Sequence, residues 1–219
     1  TTAAIADGKT IAGSGTTAIT ALHSTLGADL FNITSTSVTA AFDSSGTFTG
    51  NLGSAAVTVA SGQTLTTTAA IADGKTIAGS GTTAITALHS TLGANLANVD
   101  STTTTAAFDG SGTFTGTLDG AVVTVADGVT MTAAANVVAG ETVNKSSSGA
   151  LAVKVGTADA AVDLTTIGGT AFSSVAVFED TTFTGTLDDA ISTSVDNGIT
   201  LTIDQALVSG KTVTGAGDI

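Results

Sequence analysis

Residues 1–28 read TTAAIADGKTIAGSGTTAITALHSTLGA, and residues 67–94 repeat them without a change, 66 positions further on. The likeness continues beyond the identical part. VTAAFDSSGTFTGNLGSAAVTVASGQTLT, from Val38, aligns with TTAAFDGSGTFTGTLDGAVVTVADGVTMT, from Thr104. A diverged third copy carries AANVVAGETVNKS from Ala134 and AVFEDTTFTGTLDDAISTSVDNGITLT from Ala176, and SGKTVTGAG near the end opens a fourth. The chain therefore divides into repeats at 1–66, 67–132 and 133–202, with 203–219 beginning another, and is expected to form one continuous body. Beginning and stopping inside a repeat fits a piece of a longer array or a subunit that stacks end to end.

A shorter unit lies inside the long one: a turn with Gly or Asp, then Thr, an apolar residue and usually another Thr. Its apolar members are Ile11, Phe48, Leu65, Ile77, Phe114, Met131, Val143, Phe183, Leu201 and Val213, spaced 37, 17, 12, 37, 17, 12, 40, 18 and 12 apart. Thr-Phe-Thr and Val-Thr-Val alternate polar and apolar positions and are rich in β-branched residues, so these phrases predict strands. Asp-Gly, Ser-Gly and Asn-Gly before them predict turns, where glycine adopts positive φ at little cost. No stretch sustains a 3.6-residue period. ITALHSTLGADLFNI, from Ile19, comes nearest, but Thr, Ser and Gly interrupt it, and it is expected to form further short strands.

Two all-β architectures fit these signals. Tandem Ig-like β-sandwiches are the alternative, but a 66-residue repeat is short for them, and the Trp and Tyr of such cores are absent. The favoured fold is a parallel β-solenoid, in which three windings of about 22 residues make one long repeat. Small residues suit a narrow interior. Phe42, Phe48, Phe108, Phe114, Phe178 and Phe183 are then expected to stack at equivalent places. About ten windings at a strand spacing near 4.8 Å predict a rod roughly 50 Å long.

Composition narrows the function. The 219 residues include 18 acidic and 5 basic side chains, all of the latter Lys, for a net charge of -13. Nucleic acid and anionic membrane surfaces both need clustered basic residues, so neither is an expected partner. Mean hydropathy is +0.46, yet the apolar residues are dispersed in short alternating runs, and none approaches a spanning helix. An outer-membrane barrel usually carries Trp and Tyr girdles, and the chain contains neither. With no Cys there is neither a disulfide nor a thiolate site.

Catalytic patterns are missing too, and an enzyme is not expected. His23 and His89 are one residue copied by the repeat, and they read as turn histidines. No G-x-S-x-G elbow occurs, and the GSG phrases at Gly13 and Gly79 lack the Lys-Thr of a phosphate loop. The acids mostly read as solubilising turn residues. Asp43, Asp109 and Glu179 hold the same place after a Phe in three copies and are the candidates for Ca²⁺, the one cofactor the residues allow. The calcium-binding nonapeptide and the EF-hand loop are both absent. Stacked Thr-x-Thr segments offer a minor alternative, an ice-binding face of ordered hydroxyls and methyls.

AAIADGKTIAGSGTTAITALHSTLGADL and TAAFDGSGTFTGTLDGAVVTVADGVTMTAAANVVAGETV resemble the repeats of very long, acidic, Cys-free bacterial surface proteins, notably giant repetitive proteins of cyanobacteria and large β-solenoid adhesins. The resemblance spans essentially the whole chain, through generic motifs. It implies an extracellular or cell-surface location in a bacterium and a mechanical or adhesive role, and it carries over no catalytic residue. The expected function is a stiff stalk, filament or matrix element, self-associating end to end through open strand edges. The alternative is an adhesin module that binds carbohydrate or a partner surface through loops. The candidate insertion for such a site is VGTADAAVDLTTIGGTAFSSVAV, from Val155.

Overall fold

Apolar side chains at alternate positions can be buried on one face of a strand while the other face stays wet, and short β-rich phrases separated by turns follow that rule throughout. The computed structural model describes residues 1–219 as two units, Thr1–Ala107 and Phe108–Ile219. Both are all-β, and every ladder within them is parallel, with paired residues 17 to 22 positions apart. That pairing excludes the tandem Ig-like sandwiches, whose sheets are antiparallel.

In the first unit the strand order is Ile11–Ile19, Ile33–Phe42, Ala56–Val59, Ile77–Thr86 and Val99–Phe108, and Gly46–Thr47 pairs with Thr64–Thr68 beside them. The strand Ile77–Thr86 serves two neighbours. Residues 77–79 pair with 57–59, and residues 82–86 pair with 64–68. In the second unit a six-stranded sheet runs through Gly112–Phe114, Thr130–Ala134, Ala150–Val155, Phe172–Val177, Thr193–Val195 and Val213–Gly215. Val122–Val125 pairs with Val143–Lys145, and Thr181–Phe183 with Leu201–Ile203.

Several local elements differ from the sequence expectation. Single helical turns form at Ala3–Ala6, Ala69–Ala72, Ala135–Val138 and Gln205–Val208. Four residues are too few to show a helical period. The first three turns are fixed by packing: Ala3 and Ala6, Ala69 and Ala72, and Ala135 and Val138 are buried at i and i+3. ITALHSTLGADLFNI does not continue as short strands after Ile19. It makes a 3₁₀ turn at Leu22–Ser24, repeated at Leu88–Ser90, with Leu22 and Leu88 fully buried.

The core is aliphatic with a few aromatic anchors. Phe42 and Phe48 are buried in the first unit, and Phe108, Phe114 and Phe183 in the second. Phe178 departs from the expected stack, being 36% exposed with the Lys154 ammonium 5.6 Å above its ring. Threonine rows differ in depth: Thr64, Thr82 and Thr103 follow one another across three strands, whereas the Thr47–Thr66 and Thr113–Thr132 pairs are followed by Ala84 and Ala152.

Candidate functional site: turn carboxylates and an open strand edge

The three acids singled out for Ca²⁺ occupy turns and have different surroundings. Asp43 directs a carboxylate oxygen at Nδ1 of His23, which lies in the Leu22–Ser24 turn. Glu179 accepts hydrogen bonds from the backbone N–H and the hydroxyl of Thr157, at 3.1 and 3.2 Å. Asp109 is exposed just beyond the strand Val99–Phe108. His89 sits in the equivalent 3₁₀ turn, with Nε2 3.2 Å from the Ser90 hydroxyl. Nowhere do three or more His, Asp or Glu side chains gather into a group able to hold a metal ion. No helix is long and apolar enough to cross a membrane.

What the acids do instead is fasten one pass of the chain to the next. Asp7 accepts the Asp29 N–H and Asp73 the Asn95 N–H, both at 2.8 Å and both 22 residues ahead. Asp180 accepts the Thr200 N–H at 2.7 Å. Asp127 accepts both the N–H and the hydroxyl of Ser148, at 3.0 and 2.6 Å, and these bonds hold its carboxyl below the usual range. Asp159, only 3% exposed, accepts the Asn136 N–H through Oδ1 and the Gly156 N–H through Oδ2. Turn carboxylates thus satisfy main-chain donors that no ladder reaches. Beside the solubilising role expected of them, these acids make specific bonds between passes.

Glu141 is the costly member of this set. Burial pushes its carboxyl above the usual value, a hydrogen bond from the Gly120 N–H opposes that, and the charge of Asp119 adds to it. A raised folded-state pKa means that its contribution to folding is fully present below the unfolded value and is lost as pH rises through the folded one. Glu141→Gln keeps an acceptor for Gly120 and removes the charge. Urea unfolding is expected to show the variant more stable than the parent at pH 7, with the difference shrinking at pH 4. An equal difference at both values would refute burial as the cause.

Two surface features stand apart from this framework. In the second unit, Thr113, Phe114, Ala134, Val137, Lys154 and Phe178 line a groove of about 320 Å³. Lys154 and Phe178 immediately flank the 155–177 segment, the candidate insertion of the third copy. In the first unit, the strand Ile11–Ile19 stands at the end of the sheet order, paired only with Ile33–Phe42 along most of its length. Its far end is covered by the chain's own start: the Thr1 ammonium donates to the Ala18 carbonyl at 2.8 Å, and Thr2 bridges to Thr20.

The repeat supplies an internal control for this edge. Residues 11–19 and 77–85 have the same sequence, but Ile77, Gly81 and Thr83 are buried, whereas Ile11 and Thr17 are half-buried and Gly15 is exposed. The cause is the neighbour. A Cβ placed on Gly79 would lie 2.3 Å from the Val59 carbonyl oxygen, and one on Gly81 would lie 2.3 Å from that of Ala60. The same Cβ on Gly13 or Gly15 would meet nothing within 4 Å. No protein family, curated protein or solved structure matches the chain.

Proposed function

We propose that this chain is a parallel β-solenoid whose role is mechanical rather than catalytic, a stiff segment of a bacterial cell-surface stalk, filament or matrix element. The observation that carries the reading is the uniform parallel register at 17 to 22 residues, reinforced at the turns by side chains that clip successive passes together. Main-chain hydrogen bonds then run along the axis about which the chain winds. A pull along that direction is shared by whole ladders rather than by single contacts. Resemblance to giant acidic surface repeats supports the extracellular location, and the excess of acids keeps an aliphatic, Thr-rich surface from clumping.

A second reading is favoured by one feature, the groove beside Phe178. An aromatic ring of which a third is exposed, with an ammonium and threonine hydroxyls near it, has the mixed chemistry that an acidic glycan would engage. One pair of measurements separates the readings. Small-angle scattering of dilute protein is expected to give an elongated particle, and a glycan array is expected to give no signal. Two loosely tethered globules would overturn the stalk, and array binding lost in Phe178→Ala would replace it with the adhesin.

A further inference from the structure

Phenylalanine is the chain's only aromatic residue, and six of the eight are buried or half-buried. Ile5 and Ile219 aside, the other two are the large apolar side chains left exposed, Phe31 at 65% and Phe178 at 36%. Neither is exposed for want of a neighbouring pass. Around Phe31 the Gly8 and Ile11 N–H groups reach the Asp29 and Asn32 carbonyls at 2.9 and 3.3 Å on one side, and the Leu30 N–H reaches the Asn51 carbonyl at 2.8 Å on the other. Beside Phe178 its own N–H reaches the Val155 carbonyl at 3.2 Å, and the Asp196 N–H reaches the Val177 carbonyl at 3.0 Å.

Phe31 is a knob on a rigid turn. Leu30 before it is fully buried, and Asp29 Oδ1 accepts the Phe31 N–H at 3.0 Å, which leaves Oδ2 of the exposed carboxylate outside that bond. The second copy builds the same turn, with Asn95 Oδ1 accepting the Ala97 N–H at 3.0 Å. It has thereby lost both the ring and the charge. The knob is therefore an addition to the turn, and the fold does not require it.

The groove beside Phe178 is equally singular. Phe114, Ala134, Val137 and Phe178 give it an apolar lining, its volume is about 320 Å³, and Lys154 stands over the Phe178 ring. Lys154 has no carboxylate partner, because Glu179 is already bonded to Thr157. At the register of the Ala134–Lys154 pair the first unit has Thr68–Thr86, and the counterpart Phe108 is wholly buried.

We infer that the Lys154–Phe178 groove receives Phe31 of a second copy of this chain. The ring enters the apolar lining against Phe178, an aromatic pairing that adds to the gain from burial. The Asp29 carboxylate two residues before it meets the Lys154 ammonium, so the one acid beside the knob answers the one cation of the groove. A buried aromatic ringed by a polar contact is the usual anchor of a protein interface, and the pre-formed turn keeps the entropic cost of docking low. Knob and groove lie on different surfaces, which makes the contact heterologous. It joins chains through side-chain surfaces, away from any strand edge, and an occupant of this kind agrees with the absence of signal expected from a glycan array.

This inference deepens the structural reading by naming a partner, and it fails separately, since a chain that stays monomeric can still scatter as an elongated particle. Sedimentation velocity over a concentration series is expected to show self-association of the parent chain. Phe31→Ala installs the residue that the second copy carries and is expected to weaken association about tenfold or more. Asp29→Asn, which keeps the turn as Asn95 does, and Lys154→Glu, at an exposed position, are each expected to weaken it several-fold. Phe178→Ala is expected to match Phe31→Ala. Mixing Phe31→Ala with Phe178→Ala is expected to restore association beyond that of either alone, because the first keeps the groove and the second keeps the knob. A parent chain that is monomeric at every concentration, a Phe31→Ala variant that associates normally, or a mixture no better than its components would overturn the docking.

Discussion

Alanine at Gly81 is expected to destabilise the first unit severely, while alanine at Gly15 leaves its stability unchanged. The two glycines sit in identical sequence, so propensity, turn chemistry and unfolded-state freedom are the same at both, and only the neighbouring backbone differs. At Gly81 a methyl group would lie 2.3 Å from the Ala60 oxygen, 2.7 Å from the Gln63 oxygen and 2.7 Å from Val59 Cγ1. Two of those atoms are main chain and cannot swing away. The winding must separate locally, breaking the Thr82 N–H to Gln63 bond of 2.9 Å, and overpacking of this kind costs about 3 kcal/mol. At Gly15 the same methyl enters solvent, and a surface change away from any contact alters stability by less than about 0.5 kcal/mol. Denaturant midpoints of the two variants decide the matter. Equal losses would mean that the first copy's edge is not open.

The strands were legible because their signal is local and repeated. Ile11, Leu65, Ile77, Phe114, Met131, Val143, Phe183, Leu201 and Val213 all fall in strands, Phe48 lies one residue past the strand Gly46–Thr47, and the Asp-Gly and Ser-Gly turns before several of them hold glycines at positive φ, such as Gly8 at 63° and Gly62 at 73°. The 3₁₀ turns were not legible. Each begins on an alanine, Ala21 or Ala87, held at φ 54° or 55°. That conformation costs an alanine about 1 kcal/mol and is normally announced by Gly, Asn or Asp. Burial of Leu22 and Leu88 compensates for it, and burial is set by residues far along the chain.

The candidate site was legible in type but not in use. Counting acids located them at turns, yet nothing in a single copy says that Asp7 reaches a backbone amide 22 residues away. Comparing copies gave a misleading signal here. Asp7 and Asp73 are answered by Ala139 in the third copy, which looks like dispensability; what persists there is the neighbouring tie, the Gly140 N–H reaching the Thr166 hydroxyl at 3.0 Å where the Gly8 and Gly74 N–H reach main-chain carbonyls at 2.9 Å. The burial contrast between residues 11–19 and 77–85, identical in sequence, is likewise set by the neighbouring backbone and is displayed by no sequence.

Asp159 carries the second large expectation, and it was passed over because it lies in the diverged insertion where no copy aligns with it. It is the one acid in the chain whose side chain is fully enclosed, at 3% exposure. Each carboxylate oxygen takes one main-chain donor, Asn136 N–H at 2.9 Å and Gly156 N–H at 3.0 Å. It thereby ties the helical turn Ala135–Val138 to the 3₁₀ turn Thr157–Asp159. Asp159→Ala removes both acceptors at once and leaves two main-chain donors without the carboxylate. With hydrogen bonds to a charged group worth about 1.5–3 kcal/mol each, the loss is expected to reach about 4 kcal/mol. Asp159→Asn retains one acceptor oxygen and turns an NH₂ toward the other donor, so it should cost less than alanine but more than a surface change. Hydrogen exchange is the discriminating measurement, because the amides of Asn136 and Gly156 should lose protection together in Asp159→Ala and only one of them in Asp159→Asn, while those of Met131 and Val153 change only with global stability. If Asn136 stays protected in Asp159→Ala, the carboxylate is not the fastening between these two passes of the chain.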